Sequence, residues 1–428
     1  MDRRITKSKG LRGTVSVPGD KSISHRALMI AALANGKSEI AGLLDAADPT
    51  STRTCLNALG TEFEWNGPIL RVHGRGLKGL RNPNAVLDAG NSGTTIRLLS
   101  GILAGQPFLT TITGDDSLRI RPMKRIMEPL TQMGAHFTAS PEGTAPLTIL
   151  GAQPLQPIEY RMPISSAQVK SAILFAGLFA AGTTRVFERT TTRDHTERML
   201  GLKTTRSAEA HVVEIEGGRA IEPGRFQVPG DISSAAFLIS AALIVPNSEL
   251  RIRGVGLNPT RTRILDFYRS LGASIAILEE TTIAGEPIGD LLVKSTELQG
   301  TVWLDANAVT ELIDEIPVIA VTLALSGVGL TVRGAADLRA KESDRIRAVV
   351  TNLRCLGMDV EEYPDGFAFQ SKKSLIPARC NSFGDHRIAM AFGVAGLALS
   401  GETIIENAEC VDISFPAFWS LLDNIHVQ

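Results

Sequence analysis

The sequence predicts an α/β fold of two domains, each made by using one supersecondary unit three times. Three observations carry that expectation. Apolar helices rich in Ala, Leu and Ile open after a polar or small residue at intervals of roughly 70 residues, so that six copies fill the chain. Four segments, CLNALGTEF, PLTQMGAHF, FYRSLGASI and NLRCLGMDV, each run from an amphipathic helix through Leu-Gly or Met-Gly into a strand. Finally, Val17-Pro18-Gly19-Asp20 recurs as Val228-Pro229-Gly230-Asp231. Two identical Pro-Gly crossings are expected of a chain that leaves one domain and later returns to it. The expected organisation is a discontinuous domain of residues 1–19 plus 230–428 and an inserted domain of residues 20–229, hinged at 17–20 and 228–231, with a cleft between them.

Bulk properties narrow the function. At 428 residues the chain is too long for one compact core, and 43% hydrophobic with 21% charged residues is ordinary globular composition. A net charge of -1 argues against a general nucleic-acid binder, so any anion site must be local. Cys55, Cys355, Cys380 and Cys410 stand in no CxxC or Cys/His spacing and read as thiols of a reducing compartment, with no metal site. The opening MDRRITKSKG is basic but lacks an apolar stretch after it, which argues against a secretory signal. The longest uncharged apolar run, Pro317 to Leu330, is shorter than the roughly 20 residues that cross a bilayer. A cytoplasmic protein with no membrane partner, and a monomer, is expected.

The helix openings, taken in order, carry the chemistry. In the first, Ser22 reads as an N-cap, Ser22 and Arg26 share a helix face, and Lys21 stands beside them at the positive end of the dipole. Hydroxyl, guanidinium, ammonium and free backbone N–H groups could there hold one anion. A Walker loop is excluded, because Asp20 intervenes where that motif needs glycine before Lys-Ser. In the second, Gly93 leaves a helix start open to a ligand, and Arg119 and Arg121 precede Pro122. In the third, Ser166 and Gln168 offer hydroxyl and amide, and Thr192-Arg193-Asp194-His195 follows the next strand. There His195 reads as a capping or core histidine. The fourth is Ile232-Ser233-Ser234. The fifth supplies Asp314-Glu315 and then Lys341, Glu342 and Arg345. Lys341 and Arg345 are expected on one helical face flanking Glu342, either as an anion site beside a proton carrier or as a salt-bridge ladder. The sixth contributes Asp385-His386-Arg387.

PGDKSISHRA, GNSGTTIRL, RIRPM, SAQVKSA, TRDHTE, LIDEIP, LRAKESDR and GDHRIAMA stand in the order and approximate spacing of one family. Across essentially its whole length the chain resembles the 5-enolpyruvylshikimate-3-phosphate synthases (3-phosphoshikimate 1-carboxyvinyltransferases), and SAQVKSA and TRDHTE look like the bacterial class II branch. The resemblance implies an inside-out α/β barrel in each of two domains, three βαβαββ units apiece, with helix ends facing a cleft that closes to exclude water. It implies transfer of the enolpyruvyl group of phosphoenolpyruvate to the 5-hydroxyl of shikimate 3-phosphate, with no cofactor and with glyphosate as inhibitor. On the matching positions it implies that Lys21 touches both substrates and that Ser22 and Arg26 hold the shikimate side. Ser166 and Arg193 would take the shikimate phosphate, Gln168 would lie between the substrates, and Gly93, Arg121, Arg345 and Arg387 would surround phosphoenolpyruvate. Asp314 would be the base at the 5-hydroxyl, Glu342 the acid at the methylene carbon, and Lys341 a partner to the shikimate side.

The chain departs from class I at Ala167, where class I has a second serine, and at Ile413, which aligns by CVDISFP with a class I lysine. Two other readings compete. The related UDP-N-acetylglucosamine enolpyruvyl transferases have Lys-Asn at the first clamp and usually a cysteine in the flexible loop, whereas this chain has Lys21-Ser22 and no cysteine from Asp115 to Arg125. A non-catalytic polyanion-binding scaffold would be expected to lack Asp314 or Glu342, and both are present.

Overall fold

In the computed structural model, which describes residues 1–207, 210–372 and 374–427, the chain forms two compact units. One comprises Gly19–Pro229 and Thr282–Glu286, and the other Met1–Pro18, Gly230–Thr281 and Pro287–Gln428. The six repeat-opening helices are α1 (Lys21–Leu33), α2 (Gly93–Ala104), α3 (Ala167–Gly177), α4 (Ile232–Ile244), α5 (Ile316–Leu325) and α6 (His386–Ala398). All six are apolar on nearly every face, and such helices are stable only when enclosed. In the first unit α2 packs on both α1 and α3, and in the second α4, α5 and α6 all touch one another. From Ile316 to Ala324 every residue of α5 is buried, and each large aliphatic side chain so removed from water contributes about 2 kcal/mol.

Each helix core is covered by sheets of one design. In the first unit the strand orders are Arg225–Gln227, Lys37–Ala41, Ile69–His73, Glu62–Asn66; Leu87–Asp88, Leu109–Thr113, Leu147–Leu150, His136–Thr138; and Glu159–Arg161, Thr183–Glu188, His211–Glu216, Lys203–Arg206. In each sheet the first pair is parallel and the other two are antiparallel. The second unit repeats the parallel-then-antiparallel pattern in Gly10–Ser16 with Glu249–Gly256 and in Thr301–Leu304 with Gly329–Val332. Its last sheet differs. Arg379–Asn381 pairs in parallel with Glu402–Glu406, but the antiparallel neighbour is Arg3–Thr6, supplied by the opposite end of the chain.

The repeats are therefore not six contiguous blocks. The strand Gly10–Ser16 lies in one unit and the helix it leads into, α1, in the other, while Arg225–Gln227 leads in turn to α4. Each unit thus takes its first strand from the segment preceding the other unit's helix, which accounts for the twice-used Val-Pro-Gly-Asp. At these crossings the Asp20 N–H donates to the Pro229 carbonyl at 2.7 Å within the first unit, and the Asp231 N–H donates to Pro18 at 2.9 Å within the second.

The closing helices end alike. After Leu59, Met133, Leu271 and Leu356 the chain turns through Gly60, Gly134, Gly272 and Gly357, with φ of 95°, 103°, 93° and 87°. In each case the next residue's N–H reaches back to a carbonyl five residues earlier, Thr61 to Leu56 and Met358 to Leu353 among them. A left-handed glycine satisfies the last carbonyls of a helix in this way, and it is the physical content of the repeated Leu-Gly.

Helices α2 and α3 approach tightly at Gly101, where an added Cβ would overlap the carbonyl oxygen of Ala172 on α3. Backbone on both sides leaves no side chain to move aside. Gly101→Ala is expected to destabilise the protein by about 3 kcal/mol, read as a lowered urea midpoint at unchanged m-value.

Candidate functional site

In the first unit, α1 is capped by Asp20, whose Oδ1 accepts the Ile23 N–H at 2.9 Å. This corrects the expectation that Ser22 is the cap. Asp20 is the last residue with non-helical backbone, and Ser22 already lies inside the first turn. Lys21 takes the first helical position and sets its Nζ 3.1 Å from Asp48 Oδ2. Arg26 is buried. Its Nε donates to Thr196 Oγ1 and its Nη2 to Ser171 Oγ, both at 2.7 Å, and Nη1 donates to the Ser22 carbonyl at 2.9 Å. Burial lowers its pKa to about 10, with Glu197 and Asp20 acting against the fall and Arg193 adding to it. Arg26 is still charged at neutral pH, and Arg193 lies near enough to be felt.

At the start of α2, Ser92 caps the helix by accepting the Thr95 N–H at 3.1 Å, and Gly93 follows it. A Cβ on Gly93 would stand 3.1 Å from Arg97 Nη1 and 3.4 Å from Arg121 Nη1. Arg97 Nη1 donates to Gln168 Oε1 at 2.7 Å, and Gln168 Nε2 donates to Thr94 Oγ1 at 3.1 Å. Arg121 Nη2 donates to Asn91 Oδ1 at 3.0 Å. Gly93, Arg121 and Gln168 are thus gathered in one place, with Ser166 capping α3 alongside. The sequence reading missed Arg97. Its signal was available in the spacing, four residues after Gly93 and so on the same helix face. Burial first, then Arg121 and Arg125, lower its pKa to about 10. Guanidinium groups crowded together with their backs to an apolar helix are arranged to receive an anion.

His195 is a core residue, 1% exposed, opening the helix His195–Leu200 with Nδ1 2.8 Å from Glu286 Oε1.

In the second unit the five remaining residues form one cluster, with Lys341, Arg345 and Arg387 on Asp314 and Glu342 on Arg345. Asp314 Oδ1 lies 3.5 Å from Lys341 Nζ and 3.5 Å from Arg345 Nη1, and the Asp314 carbonyl accepts from Arg387 Nη1 at 2.9 Å. Arg345 is 1% exposed. Its Nη2 lies 2.6 Å from Glu342 Oε2, and its Nε lies 2.8 Å from Asp385 Oδ2. Burial works against its charge, but Asp385, Glu342 and Asp314 together raise its pKa above the ordinary arginine value. Burial likewise opposes the charge of Asp385, and Arg345 and His386 hold its pKa below 3.8 nonetheless.

Lys341 and Arg345 do not share one helix, contrary to expectation. A 3-10 helix, Ala336–Ala340, ends before Lys341, and Asp344 caps a new helix, Arg345–Cys355, by accepting the Arg347 N–H at 3.0 Å. The intervening Glu342 is freed from helical geometry and can fold onto Arg345. Beside this cluster, Glu315 is buried and bonds Ser233 Oγ, which also accepts from Arg261 Nη2 at 2.7 Å. Ala167 is the first residue of α3, and Ile413 ends the 3-10 helix Ala408–Ile413 with 36% exposure.

Residues 5–422 match the family model for EPSP synthase (3-phosphoshikimate 1-carboxyvinyltransferase). The 3-phosphoshikimate 1-carboxyvinyltransferase of Desulforamulus reducens is 49% identical over 433 residues, with all of both chains covered. That of Solibacter usitatus is 50% identical over 428 residues, covering 99% of this chain and 100% of its own. Among solved structures, the EPSP synthase of Acinetobacter baumannii superposes with a TM-score of 0.89 at 38% identity, covering 100% of this chain and 98% of that one. The enolpyruvyl transferase NikO from Streptomyces tendae, at 17% identity and a TM-score of 0.74, shares the fold, covering 99% of this chain and 96% of its own.

Asp385 is the most enclosed partner of Arg345, so Asp385→Asn is expected to destabilise the protein by about 3 kcal/mol at pH 7. A carboxylate with a depressed native pKa contributes stability above its unfolded value and loses it as pH falls through the native one. The gap between wild type and variant, measured by denaturant titration, should therefore narrow only below the ordinary aspartate range near 3.8.

Proposed function

The chain belongs to the EPSP synthase (3-phosphoshikimate 1-carboxyvinyltransferase) family: it transfers the enolpyruvyl group of phosphoenolpyruvate to the 5-hydroxyl of shikimate 3-phosphate, and we propose how its side chains divide that work. Asp314 takes the proton of the 5-hydroxyl as its oxygen bonds to the central carbon of phosphoenolpyruvate. Glu342 gives a proton to the methylene carbon, which becomes a methyl group. The tetrahedral intermediate then breaks its carbon–oxygen bond to phosphate, which leaves with the proton that Asp314 took, and the methyl group returns a proton to Glu342, restoring the double bond and both carboxyl groups. One base and one acid suffice for the addition.

Cations do the rest. Both substrates are polyanions, and bringing them to reacting distance means offsetting their repulsion with fixed positive charge. Ser22, Arg26, Ser166, Arg193 and Lys341 hold shikimate 3-phosphate, Gly93, Arg121, Arg345 and Arg387 hold phosphoenolpyruvate, and Lys21 and Gln168 serve both. The observation that carries this reading is the position of Asp314, in one cluster with Glu342 and between Lys341 and Arg345. The four free cysteines support a reducing, cytoplasmic setting, and we take the enzyme to act as a monomer.

Phosphate release from phosphoenolpyruvate is expected only when shikimate 3-phosphate is present, and release without it would sink the reading. Glu342→Gln should retain both KM values within a few-fold, because Asp385 and Asp314 still answer the charge of Arg345, and lose roughly a thousandfold or more in kcat with the proton transfer.

Gly93 also bears on glyphosate, an inhibitor that carries phosphonate and carboxylate groups. With glycine at the helix start the enzyme is expected to be sensitive. Gly93→Ala should raise the glyphosate Ki at least tenfold while raising the phosphoenolpyruvate KM less, since the added methyl group would press on Arg97, 3.1 Å away. An inhibition titration on both proteins decides it.

A further inference from the structure

Lys170 and Glu188 take no part in the chemistry above, yet both are fully buried. The strand Thr183–Glu188 alternates, so that Thr184, Val186 and Glu188 all point inward, and the last of these places a carboxylate where the pattern calls for an aliphatic residue. Facing it is Lys170 on α3, whose Nζ lies 2.8 Å from Glu188 Oε1 and 2.6 Å from Glu197 Oε1. Removing two ions from water costs several kcal/mol apiece, and a buried pair is seldom more stabilising than apolar residues of the same size. A reason for its presence should therefore be sought in what it positions.

What it positions is Thr192. Glu188 Oε2 accepts the Thr192 N–H at 3.2 Å and the Thr192 hydroxyl at 2.7 Å, while Lys170 Nζ donates to the Thr192 carbonyl at 3.4 Å. The same carboxylate holds His211 Nδ1 at 2.9 Å. One ion pair thereby grips the donors and the acceptor of a single loop residue, and the next residue is Arg193. Lys170 itself stands two residues after Gln168 and four after Ser166 on α3. Glu197, its second partner, is adjacent to Thr196, which accepts from Arg26 Nε at 2.7 Å.

We propose that Lys170 and Glu188 are positioning residues that clamp Thr192, and through it hold Arg193 in register with Ser166, Gln168 and Arg26 to receive the phosphate of shikimate 3-phosphate. The inference rests on the reading of Arg193 as a ligand of that phosphate. Neither Lys170 nor Glu188 touches substrate. Their effect is to spare the loop the entropy of being ordered at the moment of binding.

Steady-state kinetics on Thr192→Val, Thr192→Ser, Glu188→Gln, Arg193→Ala and the double variant Thr192→Val/Arg193→Ala tests this. Thr192→Val keeps the branched shape and removes the hydroxyl. It should raise KM for shikimate 3-phosphate roughly tenfold or more, the scale of one hydrogen bond to a charged acceptor, with KM for phosphoenolpyruvate unchanged. Thr192→Ser restores the donor and should lie near wild type, and Glu188→Gln should lose more than Thr192→Val. In the Arg193→Ala background Thr192→Val should add nothing, a coupling that a merely structural role would not produce. If Arg193→Ala raises this KM while Thr192→Val leaves it unchanged, or if Thr192→Val costs the same with and without Arg193, the clamp is overturned and the ligand reading stands. If Arg193→Ala leaves KM for shikimate 3-phosphate unchanged, the ligand reading fails and the clamp falls with it.

Discussion

The placement of the Arg345 guanidinium governs the second unit's site. A charge with 1% exposure is tolerable only when surrounded by counter-charge, and here three carboxylates supply it: Asp385 at Nε, Glu342 at Nη2 and Asp314 at Nη1. The planar fork of arginine allows this, because its donors point in fixed and separate directions. A lysine at the same point could satisfy the charge but not hold three groups in three places. The positions of the proposed base and the proposed acid are thus both set by one buried cation, itself fixed by Asp385 at the start of α6.

The repeat architecture makes such placements cheap to find. Each copy delivers an apolar helix whose first turn has free N–H groups, and five of the six are capped by a side chain, Asp20, Ser92, Ser166, Asp231 or Asp385, while the helix after Glu315 is not. The interior of each helix is occupied with packing, so the residues proposed for function concentrate at its start and in the loop that follows the next strand. That is where Lys21, Gly93, Ser166, Gln168, Arg193 and Arg387 lie. Lys341 and Glu342 occupy the equivalent loop of the fifth copy, and Arg345 opens the helix that follows it.

Much of this was legible in the sequence, because the signals were local and repeated. Leu-Gly endings, helix openings and the twin Val-Pro-Gly-Asp crossings are readable from spacing alone. The failures share a cause as well. Ser22 reads as a cap in the sequence because serine and aspartate compete for that role within two residues, and only backbone angles decide between them. Lys341 and Arg345 were placed on one helix because the run LRAKESDR has helical charge spacing, whereas Asp344 restarts the helix within it. Arg97 shows its face in the spacing from Gly93, but its partners Arg121 and Gln168 are 24 and 71 positions away and meet it only in the fold. The strand Arg3–Thr6 completing the last sheet is a long-range pairing that leaves no mark on local pattern, and the twin Val-Pro-Gly-Asp marks the two crossings without saying which strand joins which sheet.

The two clusters differ in how their charge is balanced, and the difference fits a division of labour. Around Asp314 the cations Lys341, Arg345 and Arg387 are matched by Asp314, Glu342 and Asp385, so the group is close to neutral before any ligand arrives. Around Gly93 the groups bonded to Arg97 and Arg121 are the oxygens of Gln168, Asn91 and Ser117, which carry no charge, and the nearby Asp115 is engaged through the Asn91 amide at 2.9 Å. Guanidinium groups satisfied by neutral acceptors keep most of their field, and an incoming phosphate or carboxylate exchanges weak partners for strong ones. Carboxylates, by contrast, are what proton transfer requires, and they can be kept beside arginines only where their charge is already answered. Within the first unit the cluster therefore keeps its positive field for an incoming anion, and within the second the carboxylates stay charged because the cations beside them already answer them.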